Sequence, residues 1–243
     1  MGKYVFKSLL QVIPVLFIVS LIVFILVRVT GDPVALMLPE TATAEDRAVL
    51  TEALGLDQPL YTQYMKFLGS ALQGDFGQSF RYGQPALQLV LERLPASFEL
   101  AVAAMLFAVL MAVPLGVISA VKRNTFTDLI ISGISVIGKA MPNFWMGIML
   151  ILLFSVILGV LPVSGRGGLS HLILPAFTLG VGLAAQMTRL IRSSMLEILS
   201  QDYIRTARSK GLGRMVVIGR HAFLNGLIPV VTIMSLQFTS LIG

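Results

Sequence analysis

The sequence predicts an all-α, polytopic membrane helix bundle of five spans, with a small extramembrane domain after the first helix. Three observations lead there. Of the 243 residues, 56% are hydrophobic and only 12% are charged, against roughly 25% charged in a soluble domain. The mean hydropathy is +0.88. Apolar stretches near the bilayer-spanning length of about 20 residues recur along the chain, with Lys and Arg flanking several of them. The chain has no cysteine, which excludes a disulfide framework and thiol chemistry. Its net charge of +6 is accounted for by basic residues beside the spans. No interleaving of aromatic and basic residues points to nucleic acid.

The elements follow in order. Residues 9–29 are long and apolar enough for a first span. Lys3 and Lys7 would also suit the n-region of a cleaved signal peptide. The apolar run exceeds the usual signal length and no A-x-A site follows, which favours an uncleaved helix. Residues 30–97 are polar and broken by turns. Amphipathic helices are expected near 44–54 and 59–73, each ended by glycine. This segment carries Asp32, Glu40, Glu45, Asp46, Glu52, Asp57, Asp75 and Glu92 against Arg47, Lys66, Arg81 and Arg93, a net of −4. It reads as a small extramembrane domain. A second span is expected over 98–121, with Pro114 as a kink. After the basic loop at Lys122 and Arg123, a third span covers 128–160, interrupted between Lys139 and Trp145. A glycine-rich turn fills 162–170. A fourth span runs from about His171 to Ile191 and a fifth from about Phe223 to Ile242.

The positive-inside rule orients these spans. Segment 189–220 carries seven basic residues against Glu197 and Asp202, a net of +5. It falls on the same side as Lys122-Arg123 and as Lys3 and Lys7. The N-terminus, the 122–127 loop and the 200–211 segment are therefore expected in the cytoplasm, and residues 30–97 outside.

Residues 200–211, SQDYIRTARSKG, read as a short polar helix marked at both ends. Ser200 suits an N-cap, Asp202 the first turn, Arg208 and Lys210 the last turn, and Gly211 the C′ position. About ten residues make a rod of about 15 Å, too short and too polar to enter a bilayer. It belongs at the membrane surface. Ala207 and Gly211 lie four apart on one face and leave room for an approaching partner. Tyr203, Ile204 and Ala207 offer apolar contact, and Arg205 and Arg208 can reach acidic groups. An amphipathic helix resting on anionic lipid is the alternative.

DYIRTARSKGL, followed by NGLIPV, resembles the cytoplasmic loop signature of permease subunits of bacterial ATP-binding-cassette importers, in the form usual for the dipeptide, oligopeptide and nickel branch. The general signature, Glu-Ala-Ala, three residues, Gly, falls here on Arg205-Thr206-Ala207 and Gly211. Leu227-Ile228-Pro229 stands for its later Ile-x-Leu-Pro element, displaced by about five residues. GDP at 31–33, LGLDQPLYTQY at 54–64, GDFGQS at 74–79, ERLPASFELA at 92–101 and ILPAFTLG at 173–180 extend the resemblance over nearly the whole chain, to the first of the two permease subunits. The resemblance implies a domain order of 1–29 as N-terminus and first helix, 30–97 as periplasmic domain and 98–243 as permease core. It implies a sixth helix beyond the five seen and a location in the inner membrane. It implies a second homologous permease, two cytoplasmic ATPase subunits that bind ATP and Mg, and a periplasmic substrate-binding protein. Substrates would be short peptides, glutathione-like peptides or nickel. Residues Asp202, Tyr203, Arg205, Thr206, Ala207, Arg208 and Gly211 would form a coupling helix docked on an ATPase.

Catalytic motifs are missing from the sequence: there is no Walker loop, no HExxH and no GxSxG. The chain is therefore expected to hydrolyse nothing itself. His171 and His221 are 50 residues apart and suit interfacial positions, with no metal expected. Polar residues within spans are costly and face protein or water. Lys139, Asn143, Gln186 and Gln237 are the candidates for a translocation path. Helix packing and, for Lys139, snorkelling remain open beside that role. A passive pore subunit would explain the spans but not the marked surface helix. An intramembrane enzyme would need a nucleophile and base that the sequence does not offer.

Overall fold

The computed structural model of the protein describes residues 2–31, 33–39, 41–79 and 81–242. Asp32, Glu40 and Gly243, used above, lie outside the described residues. The described chain is helical, and its one β-type pairing is an isolated bridge between Gln78 and Pro85. The all-α class therefore holds, and the helices fall into two compact units, 1–93 and 94–243.

In the first unit, α1 (Gly2–Thr30) carries an apolar run long enough to span a membrane, Phe6–Val29. α2 (Pro33–Met37) and α3 (Ala44–Ala53) follow. α3 starts with a capping box. Asp46 N donates to Thr43 Oγ1, and Thr43 N donates to Asp46 Oδ2 at 2.9 Å, which satisfies two otherwise orphaned amides. α4 (Leu60–Leu72) is amphipathic. Its Tyr64 meets Phe17 and Phe24 of α1 edge-on, with ring centroids 5.8 and 5.2 Å apart. Ser20 and Tyr64 share a hydrogen bond, and Arg28 Nε donates to Gln63 Oε1 at 2.7 Å. α4 is thus pinned back on the last four turns of α1.

The second unit begins within α5 (Ala86–Val121), one continuous helical segment containing both Pro95 and Pro114. It starts twelve residues before the expected second span. α6 (Phe126–Ala140) and α7 (Asn143–Leu150) follow, and α7 runs on as a π-helical stretch, Ile151–Ile157. α6 and α7 are bent by 100° at Met141-Pro142, so the third expected span is a broken pair. Proline there has no N–H for a continuing helix and disfavours helical geometry in the residue before it; Met141 is extended, at ψ 127°. α8 (Leu169–Leu199), α9 (Asp202–Ser209) and α10 (Arg214–Val216) come next, and a π-helical stretch at Val217–Phe223 leads into α11 (Leu224–Ile242). The described residues hold four single helices long and apolar enough to cross a membrane, or five spans if the bent pair is one. The last of these begins at Arg214, nine residues earlier than the sequence suggests.

α8 is the mast of this unit, and α6, α7 and α11 pack on it. Without a hydrophobic drive between helices in lipid, close approach of small residues does the work. Along α5, Ala104, Ala108, Ala112, Gly116 and Ala120 recur every four residues and are buried. A β-carbon at Gly116 would come within 2.7 Å of Ile191, and one at Gly180 within 2.9 Å of the Ala104 carbonyl. The large side chains at the centre are Met187, Ile191 and Met195 of α8, all essentially inaccessible.

Candidate functional site

α9 occupies the expected 200–211 segment, with different ends. Ser200 is not its N-cap: it closes α8, and its Oγ donates to the Glu197 carbonyl at 2.6 Å. Gln201 stands at the N-cap in extended geometry without a side-chain cap. At the other end Gly211 has φ +76°. Gly211 N donates to Arg208 O at 3.0 Å and Leu212 N to Ala207 O at 3.4 Å, the two bonds of a Schellman motif. A β-carbon on Gly211 would meet nothing within 4 Å. Glycine is needed there for the left-handed backbone, and not to admit a close neighbour within this chain.

The faces of α9 are unequal. Ile204 is fully buried and Ala207 is 7% exposed, both in one cluster with Met195, Val217 and Ala222. Ala207, read from sequence as a docking contact, is turned inward, and so is Ile204. Because α9 follows α8 after two residues, its apolar face closes over the ends of α8 and the following helix. Asp202, Tyr203, Arg205, Thr206 and Arg208 remain on the outside. Arg205 Nη1 lies 3.3 Å from Asp202 Oδ1, an exposed pair of little energetic weight. Tyr203 Oη accepts from Asn225 Nδ2 at 3.4 Å, which ties α9 to α11. The outer face therefore offers an aromatic ring and two guanidinium groups to a partner.

The four polar candidates within spans come together on one face of α8. Lys139 Nζ donates to Gln186 Oε1 at 3.0 Å, and Gln237 Nε2 donates to the same oxygen at 3.4 Å. Asn143 Oδ1 lies 3.9 Å from where a β-carbon on Gly182 would sit, one turn along α8 from Gln186. The four residues come from α6, α7, α8 and α11, so the cluster exists only in the folded bundle. Asn143 also lines a cavity of about 440 Å³ with Gly147, Thr178 and His171, between α7, the 162–165 turn and α8.

A second polar centre was missed by sequence reasoning. Asp128, 5% exposed, accepts two bonds from Arg192, Nε to Oδ1 at 2.7 Å and Nη2 to Oδ2 at 2.8 Å. Ser119 Oγ also donates to Oδ1, and Asn124 N donates to Oδ2 at 3.0 Å. Asn124 takes φ +61°, a left-handed turn conformation that asparagine tolerates. One carboxylate thus fastens the end of α5, the 122–125 turn, α6 and α8. Arg192 looks from sequence like one more flanking charge, and its partner lies 64 residues away. The one local signal is an acidic residue in the first turn of α6 after a basic loop.

Residues 112–243 match the family described as binding-protein-dependent transport system inner membrane component. Residues 1–101 match that of binding-protein-dependent transport system membrane component, N-terminal. The chain is 43% identical over 244 aligned residues to the glutathione transport system permease protein GsiC of Escherichia coli, covering all of this chain and 80% of the relative. The same identity and coverage are found with the protein of that name from Shigella dysenteriae. The Shigella boydii protein is 42% identical over the same span.

Proposed function

The chain belongs to the family of binding-protein-dependent transport system inner membrane components, and from that premise we propose how it carries substrate and takes up energy. It is a multi-pass permease subunit of an ATP-binding-cassette importer of the peptide type. In our reading it carries short peptides, glutathione-like ones among them, delivered by a periplasmic binding protein. It pairs with a second homologous permease, and two ATPase subunits holding ATP and Mg drive alternating access. The N-terminus and α9 face the cytoplasm, as the basic end of the bundle suggests, and residues 30–97 face the periplasm.

α9 is the coupling helix in this reading. Its exposed residues Asp202, Tyr203, Arg205, Thr206 and Arg208 meet the ATPase. Ala207 and Gly211 serve by holding and terminating the helix. Lys139, Asn143, Gln186 and Gln237 line the route. The observation that carries the proposal is the alignment of the whole chain at 43% identity with a permease. A surface helix rigidly packed against the ends of two long helices supports it.

The test is reconstitution in proteoliposomes with the partner permease, ATPases and binding protein from the same operon. Uptake of labelled glutathione or a tripeptide should need ATP and the binding protein. Uptake that persists without ATP would overturn the proposal.

A further inference from the structure

We propose that Lys139, braced by Gln186 and Gln237, forms a carboxylate-binding station inside the membrane, so that the passing substrate must carry a free carboxylate. The inference rests on the permease reading and adds the chemistry of the solute.

The first support is hydrogen-bonding capacity. An ammonium group only donates, so Gln186 must turn its carbonyl oxygen towards Lys139, as observed at 3.0 Å. Gln237 also spends an N–H on that oxygen. The Gln186 carbonyl is then saturated, and most of the capacity left in the cluster is N–H. Lys139 itself has used one donor of three. A site rich in unspent donors around a cation suits an oxyanion.

The second support is charge balance. The α6 and α8 pairing carries two cations that meet side chains of the opposite helix, and they are treated differently. Arg192 is neutralised by a bidentate carboxylate. Lys139 is met by amides, which orient its charge without cancelling it, and among the described residues it has no carboxylate partner. Such a cation is costly in hydrocarbon even on permissive scales. The balance is restored by water or by an anion from outside the chain.

The third support is depth. Lys139 lies thirteen residues into α6 and Gln186 thirteen residues from the end of α8. Both distances are about 20 Å at 1.5 Å per residue, which sets the pair far from the 122–125 turn and from α9. Lys139 is exposed in the last turn of α6, beside the bend at Met141-Pro142, and its bond to Gln186 holds the head group against α8.

The absence of cysteine permits a direct test in the assembled importer, with partner subunits made cysteine-free. Lys139→Cys is reconstituted, and ATP-dependent uptake of one free-acid tripeptide is measured before and after treatment. One reagent, aminoethyl methanethiosulfonate, restores an ammonium; the other, sulfonatoethyl methanethiosulfonate, places an anion. The binding protein and substrate are the same in every arm, so only the charge at this position varies. Uptake should fall about tenfold in the cysteine variant, the scale of one charge-assisted hydrogen bond. It should recover with the ammonium and not with the sulfonate, while the melting temperature of the complex stays constant. Wild-type rates in Lys139→Cys, equal effects of the two reagents, a thiol that reacts with neither, or melting that falls in step with uptake would overturn the station. Absence of ATP-dependent uptake in the wild type would instead overturn the permease reading beneath it.

Discussion

Among the described residues Arg192 is the one cation that meets Asp128, and replacing it by leucine removes that partner. The carboxylate is left with the Ser119 and Ser132 hydroxyls and the Asn124 amide, at 5% exposure, where water cannot replace two strong donors. Breaking a buried pair from one side costs about 3–5 kcal/mol. For a chain of this size that is a fall in melting temperature of about 10 °C. The reverse substitution, Asp128→Asn, should cost less. Arg192 keeps 28% of its side chain exposed and can turn to solvent or headgroups, whereas Asp128 keeps 7%. The double variant should recover part of the loss, with a coupling energy of about 2 kcal/mol. The assay is thermal melting of the purified chain in one detergent, across the four members of the cycle. Additivity within about 0.5 kcal/mol, or a greater cost for Asp128→Asn than for Arg192→Leu, would refute the reasoning.

Other outcomes follow from the same geometry. Gly180→Ala should lower stability by about 1–3 kcal/mol, read by thermal melting, since the new β-carbon meets the Ala104 carbonyl at 2.9 Å; Gly133→Ala, with nothing within 4 Å, is the control that should not destabilise. Ile204→Asp should destabilise the bundle itself, whereas Arg205→Glu should leave melting unchanged and reduce co-purification of the ATPase. Gly211→Arg should preserve insertion, at about 1 kcal/mol for the left-handed backbone, and abolish ATPase binding in a pull-down. The Asp46 carboxyl is held below the usual carboxylate range by its hydrogen bonds to the Thr43 side chain and backbone. Because its folded value is depressed, the capping contribution is complete above the unfolded value and is lost as pH falls through the folded one. A carboxyl-carbon NMR titration should show this, and Thr43→Val should move the midpoint upward.

The membrane class and the helices near 44–54 and 59–73 were legible because composition and glycine stops are local signals. So was the break near Pro142, a residue that cannot donate. The polar quartet was legible as a set of costly residues, though not as a cluster. That Lys139 and Gln186 touch depends on the pairing of α6 with α8, 47 positions apart. Asp128 stayed hidden for a related reason: one acid near a basic loop is unremarkable until a distant arginine is folded on to it. The faces of α9 were misjudged because an eight-residue helix has an inner side only once its neighbours are known. Ser200 satisfied the N-cap pattern, but α8 runs about two turns further than its hydropathy suggests and takes Ser200 for its own end.

Burial of Ile204 and Ala207 makes α9 the short arm of a bell-crank. It is clamped to the foot of α8, whose 31 residues form a shaft of about 46 Å. A push on the outer arm is passed to the bundle through Ile204 and Ala207, which are buried in one cluster with Met195, Val217 and Ala222. A tilt of only about 5° at the foot would sweep the far end of such a shaft through about 4 Å. That travel is comparable to the width of a peptide backbone, so under the coupling role proposed for α9 angstrom-scale work done at the surface would suffice to open or shut a passage on the other side.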